Sequence, residues 1–194
     1  LGSSPGGYPG SIVVSADGSS VYVRAISGKN SFVMGVHGFT AGPDGTWAPI
    51  EGIDLTAESD AWLDISLDPS GKYFAALTKD TLFLYAVDAD GSLKLVSQIT
   101  RDEMNLADMN LTAIEFSGDG KSIFVQKDGM GDKRGIAVVA VGEGGALNLL
   151  QSLNYETINA DKTGIKIDDD GTLWQVGSMV SSADGKYLYV SSKS

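Results

Sequence analysis

His37 is the only histidine in the 194-residue chain, so any histidine-based triad would have to be built on it. Such a triad needs a nucleophile and an orienting carboxylate within hydrogen-bond reach of the ring. Serines are abundant, but no G-x-S-x-G elbow occurs, and His37 reads as an ordinary strand or turn residue. The absence of cysteine removes thiolate nucleophiles, thiolate metal sites and disulfides from consideration. A pocket for a sugar phosphate calls for clustered guanidinium and ammonium groups. The three arginines, Arg24, Arg101 and Arg134, lie in separate parts of the sequence. No catalytic residue and no organic cofactor is therefore assigned.

Two acidic runs invite a metal reading. Asp88-Ala-Asp90-Gly91 and Asp168-Asp169-Asp170-Gly171 resemble fragments of a calcium loop. Neither carries the full D-x-[DN]-x-[DN]-G pattern with its distant glutamate. Both read first as hairpin turns with Asp at favoured positions. If either loop takes calcium, Asp168 and Asp170 are the expected ligands. Trp47, Trp62 and Trp174 could offer a carbohydrate-stacking surface, but packing between sheets is the expectation. Asn110-Leu111-Thr112 is a glycosylation acceptor pattern, informative only in a secreted eukaryotic chain.

These residues sit in an acidic chain of net charge −11, with 14 basic and 25 acidic side chains. Nucleic acid is not an expected partner, because phosphate binding needs clustered Lys and Arg. Anionic membrane surfaces are disfavoured for the same reason. No apolar run approaches the roughly 20 residues that span a bilayer. The chain starts at Leu1 without Met or a signal peptide, and reads as a piece of something longer.

The elements that must position these groups are strands. Four segments share one pattern around a glycine: SADGSSVYV at Gly18, DPSGKYFAA at Gly71, SGDGKSIFV at Gly120 and SADGKYLYV at Gly185. Six residues before the glycine stand Ile12, Ile65, Ile114 and Met179; five after it stand Val23, Ala76, Val125 and Val190. Asp or Ser followed by Gly supplies the positive φ of a tight turn, and the flanking apolar residues suit pleated, buried strands. A weaker repeat follows the first three copies, with turns at Asp44-Gly45, Asp90-Gly91 and Gly144-Gly145.

One unit is thus two hairpins, or four antiparallel strands. Such units, recurring at about 40–50 residues, are the signature of propeller blades. The fold expected is an all-β propeller with about three and a half blades, at approximately 11–53, 62–99, 111–153 and, in part, 163–194. Residues 1–10 read as a linker or inter-blade connection, and 100–110, polar with three acids, as a loop. Closed propellers have about four to eight blades, so the remainder is expected from a parent chain or a second copy, unless the chain closes as a shortened four-blade ring.

The phrases SADGKYLYVSS, LFLYAVDADGSLKLVSQI and AVVAVGEGGALNLLQSL together resemble the lactonase-like seven-bladed propellers, which include bacterial 6-phosphogluconolactonases and YVTN-type surface-layer propellers. The resemblance covers most of residues 11–191 and rests on blade-building elements shared by enzymes and non-enzymes. It implies a central channel and two loop-bearing faces, and carries over no catalytic residue. The expected role is binding of a protein or carbohydrate, or scaffolding, by an extracellular, surface-exposed or periplasmic protein. The rival is a lactonase-type hydrolase with its site in the channel.

Overall fold

The computed structural model describes residues 8–27, 33–51, 53, 55–57, 64–129, 134–154 and 176–192. Asp168 and Asp170, and with them the proposed calcium ligands, lie outside the described residues, as do Trp62 and Trp174.

The described chain is all β apart from short turns, and it is a propeller. In the first blade β1 (Tyr8–Val14), β2 (Ser20–Ser27) and β3 (Val33–Ala41) pair in order, antiparallel. Its outermost strand is split into β4 (Trp47–Pro49) and β5 (Leu55–Ala57), both paired to β3. The second blade is β6 (Asp64–Leu67), β7 (Tyr73–Leu77), β8 (Thr81–Val87) and β9 (Leu93–Thr100). The third is β10 (Asn110–Phe116), β11 (Ser122–Asp128), β12 (Gly135–Val141) and β13 (Leu147–Asn154). Of the fourth, the first hairpin is described, β14 (Val176–Ser181) with β15 (Leu188–Ser192). Ladder hydrogen bonds stay within each blade, and the innermost strands β1, β6, β10 and β14 lie beside one another in that order. Successive spokes about a common axis give this arrangement; two facing sheets do not. Strand pairing starts at Tyr8, inside the stretch read as linker, and the first blade runs on to Ala57.

The glycine-centred turns repeat in detail. Gly18, Gly71, Gly120 and Gly185 all have φ between 69° and 75°. Each amide donates to the carbonyl three residues back, on Ser15, Asp68, Ser117 and Ser182 respectively. The aspartate of the motif has its own task. Asp17 accepts from the Ser15 hydroxyl at 2.6 Å and the Ser19 amide at 3.0 Å. Asp119 and Asp184 bind Ser117 with Lys121, and Ser182 with Lys186, in the same way. In the second blade the two residues trade places: Asp68 stands where the others have Ser, and takes the Ser70 hydroxyl and the Ser70 and Lys72 amides.

These bonds favour the carboxylate form. The Ser15 hydroxyl, then the Ser19 amide and hydroxyl, bring Asp17 down to about 2 from an ordinary 3.8. Asp44, Asp90, Asp119 and Asp184 are lowered too, each chiefly by the hydroxyl beside it: Thr46, Ser92, Ser117 and Ser182. A carboxylate that is more acidic in the folded chain stabilises it above the unfolded pKa and loses that contribution as pH falls through the folded value. Unfolding free energy is therefore expected to drop as pH is lowered from near 3.8 towards 2. Urea titrations across that window should show a shallower decline for Asp17→Asn; an unchanged slope would rule the Asp17 turn out as a contributor.

Blades pack through two apolar layers. Between the first and second lie Tyr22, Val36, Ile65, Phe74, Ala76 and Tyr85. Tyr22 and Phe74 rings meet at 5.1 Å, and Tyr85 stands edge-on to Phe74 at 6.3 Å. Between the second and third, Ala75, Leu77, Leu82 and Leu84 face Ile114, Phe116, Ile123 and Val125. The 101–109 connection, read from sequence as a polar loop, adds Met104, Leu106 and Met109 to this second layer. Its single turn opens with a capping box: Glu103 accepts from the Thr100 amide and hydroxyl at 2.8 Å.

The second-hairpin turns are clamped from the preceding blade. Tyr22 Oη donates to the Gly91 carbonyl at 2.8 Å, and Ser97 Oγ to the Gly145 carbonyl at 2.6 Å. Both glycines have positive φ, 82° and 84°, and a Cβ on either would lie 2.6–2.7 Å from Ile50 or Val96 of the preceding blade. Glycine is needed there twice over, for backbone conformation and for close approach. The corresponding Gly45 of the first blade, which no other blade among the described residues precedes, has open space around it.

Candidate functional site

The axis-facing edge of the innermost strands gathers polar side chains. An innermost strand has no ladder partner on its axial side, so its outward amides need other acceptors. Each blade supplies them to the next. Asp64 on β6 accepts from Ser11 Oγ of β1 at 2.6 Å and from its neighbour's amide, Ile65, at 3.0 Å. Its second oxygen accepts from the Ile114 amide of β10 at 3.0 Å. One carboxylate thus ties three consecutive blades together. Ser66 Oγ accepts from the Phe116 amide at 3.1 Å. Glu115 Oε1 accepts from the Ser181 amide of β14 at 3.3 Å, and Ser181 Oγ donates to the Phe116 carbonyl at 2.8 Å.

Glu115 and Asp64 are axial carboxylates that bond across blades, and the Asp64 charge acts on Glu115. Burial pushes the Glu115 carboxyl up, and the Asp64 charge adds to this; the Ser181 amide and Ser66 hydroxyl oppose it. A carboxyl raised by burial in this way is a feature of groups that act in general acid–base chemistry.

The sequence-selected residues fall elsewhere. His37 lies exposed on β3 opposite Val23, away from the innermost strands. Arg101 pairs with Asp80 at 2.9 Å and donates to the Met109 carbonyl; Arg134 pairs with Asp128 at 2.7 Å. Neither faces the axis network. Asp90 caps its own hairpin by accepting from the Ser92 amide at 2.9 Å, and no group of three or more His, Cys, Asp or Glu suited to a metal is found among the described residues. Trp47, expected to pack, is 49% exposed on the short β4. Tyr22, Tyr73 and Tyr85 do fill the wedges between blades. Asp64, Ser66 and Glu115 were not singled out by the sequence reading. The available signal was a polar residue on an innermost strand one place before or after the repeated Ile, where the first repeat has Ser11 and Val13.

The turn-bearing face carries grooves between the first and second blades and between the second and third. Tyr22, Leu67, Ser70 and Val87 contribute to the first, of about 320 Å³. Lys72, Tyr73, Asp119 and Glu143 contribute to its counterpart between the second and third blades, of about 530 Å³.

No protein-family model and no curated protein sequence matches the chain. Solved structures do. A periplasmic gluconolactonase of Pseudomonas aeruginosa, PpgL, superposes with a TM-score of 0.57 at 19% identity, over 94% of this chain and 49% of that one. A functionally unknown protein from Desulfotomaculum acetoxidans gives 0.58 at 18%, over 96% and 49%. The β-propeller domain of Swd1 from Myceliophteria thermophila gives 0.50 at 14%, over 76% and 44%. The chain spans about half the length of the first two of these structures, and what the likeness shows is a β-propeller fold shared with lactonase-type and other propellers.

Proposed function

We infer that this chain supplies blades to a binding or scaffolding propeller of a secreted, surface-exposed or periplasmic protein, with recognition by the loops and grooves of the turn-bearing face. The observation that carries this reading is the use of the axial carboxylates. Both oxygens of Asp64 are taken by neighbouring blades, and Glu115 accepts from the Ser181 amide. Groups spent on holding blades together are poorly placed to turn over a substrate. Rigid sheets presenting variable turns suit recognition instead. The acidic, cysteine-free composition and the periplasmic origin of one structural neighbour support the location.

The end blades support a larger ring. Ile65 and Ile114 are 3% and 4% exposed, whereas the equivalent Ile12 of the first blade is 58% exposed. Tyr22 is fully buried, and its counterpart Tyr189 in the fourth blade is 60% exposed. Apolar faces of this kind are covered in a stable protein, and further blades from a longer chain or a second copy fit them best.

A second reading is favoured by the raised Glu115 carboxyl beside Asp64: a lactonase-type hydrolase acting in the channel, since one of the propellers similar in structure, PpgL, is named a gluconolactonase. Hydrolysis of glucono-δ-lactone and 6-phosphogluconolactone by the full-length protein decides between them. The binding reading expects rates equal to buffer. Turnover abolished by Glu115→Gln in a protein that keeps its fold would replace it with the hydrolase.

A further inference from the structure

Along β11 the side chains alternate, and Ile123 and Val125 point into the layer shared with the second blade. The next residue on that face is Lys127, only 3% exposed. An alternation that should end in a third apolar residue ends in an ammonium. Its stem continues the apolar layer, and its head lies in a cleft of about 510 Å³ that the capped 101–109 connection helps to wall. This cleft lies at the end of the blades opposite the glycine-centred turns.

An ammonium has three N–H donors and is costly to bury without acceptors or a counter-ion. Lys127 Nζ donates to Asn154 Oδ1 at 2.6 Å. Among the described residues no ion pair joins it, and desolvation disfavours its charged form. The carboxylates lining the same cleft, Asp102 and Asp108, are exposed and otherwise engaged: Asp102 lies 3.9 Å from Arg101 Nε, and Asp108 has a partner of its own. Ser152 and Asn105 complete the polar lining.

We propose that this cleft is a binding site for a small monocarboxylate, whose two oxygens take the unused N–H donors of Lys127. A carboxylate supplies the missing counter-charge and offers acceptors to the unused N–H donors. The exposed Asp102 and Asp108 set the charge limit, because a dianion brings a second negative charge against them. Acetate is therefore preferred over hydrogen phosphate. The site is independent of the axial carboxylates and does not rest on the role proposed for them.

The test is an NMR titration of the full chain carrying 13C at lysine Cε, with sodium acetate exchanged for chloride at constant ionic strength. The Lys127 resonance is expected to move and saturate, while those of the exposed Lys72, Lys94 and Lys121 drift without saturation. Phosphate is expected to bind about tenfold more weakly, the repulsion of one further charge at a solvent-exposed rim. Acetate should also raise the thermal midpoint of the wild type and leave that of Lys127→Met, which keeps the apolar stem, unmoved. If the Met variant fails to fold, the wild-type titration alone decides. A Lys127 resonance that tracks the exposed lysines, or phosphate binding as tight as acetate, overturns the proposal.

Discussion

Phe74→Ala is expected to lower the unfolding free energy by about 3–5 kcal/mol, the cost of truncating a fully buried aromatic. Phe74 is completely buried between Tyr22 at 5.1 Å and Tyr85 at 6.3 Å, and its ring is the centre of the layer joining the first two blades. The cavity cannot collapse easily, because its walls belong to two sheets held by separate ladders. Phe74→Leu, which refills most of the volume, should cost less than half as much. Urea denaturation followed by tryptophan fluorescence and by far-UV circular dichroism measures both. If the alanine variant unfolds within about 1 kcal/mol of the wild type, below the usual range for such truncations, the inter-blade layer is not what holds these blades together.

Asp64→Ala is expected to have the next largest effect, about 2–3 kcal/mol, since it strips acceptors from several donors at once. The Ile114 amide, the Ser11 hydroxyl and the Ile65 amide all lose their partner. Ile114 has most at stake, because its amide lies on the axial edge of β10 where no ladder strand can take over. Asp64→Asn keeps the shape but puts an NH2 against one of these donors, so it should recover only part of the loss. Hydrogen exchange gives the sharper readout: the Ile114 amide should exchange faster in both variants, while the β11–β12 ladder stays protected. Unchanged protection at Ile114 would falsify the view that Asp64 joins the blades. It would also free the carboxylate for chemistry and strengthen the hydrolase reading.

The repeat was readable because the forces behind it are local. A left-handed residue at each hairpin is demanded by the turn itself, so Gly18, Gly71, Gly120 and Gly185 show in one dimension what they do in three. The S-x-D-G spacing is equally local, the carboxylate reaching hydroxyl and amide groups two residues away. From its type and place alone, that aspartate belongs to the turn's backbone preference. The structure shows it acting through its side chain, while glycine alone takes positive φ.

Other features depended on what the chain meets. The 101–109 connection looks polar in composition, yet three of its apolar residues, Met104, Leu106 and Met109, find the gap between two blades. A Thr-x-x-Glu pair, Thr100 with Glu103, was the local sign that this stretch forms a hydrogen-bonded turn. The divided outer strand of the first blade, β4 and β5, had no equivalent sign, since a strand's edge pairing depends on how the sheet twists beside it.

The amino-acid sequence by itself determined the hairpins, their order and the radial architecture, because turn geometry and strand alternation act over a few residues and repeat with the motif. Only the tertiary structure decided which polar groups converge. Asp64 meets Ile114, Glu115 meets Ser181 and Lys127 meets Asn154 across separations of 50, 66 and 27 residues. Those meetings are fixed by how one blade stacks on the next, and electrostatic environment follows from that stacking rather than from neighbours in the chain.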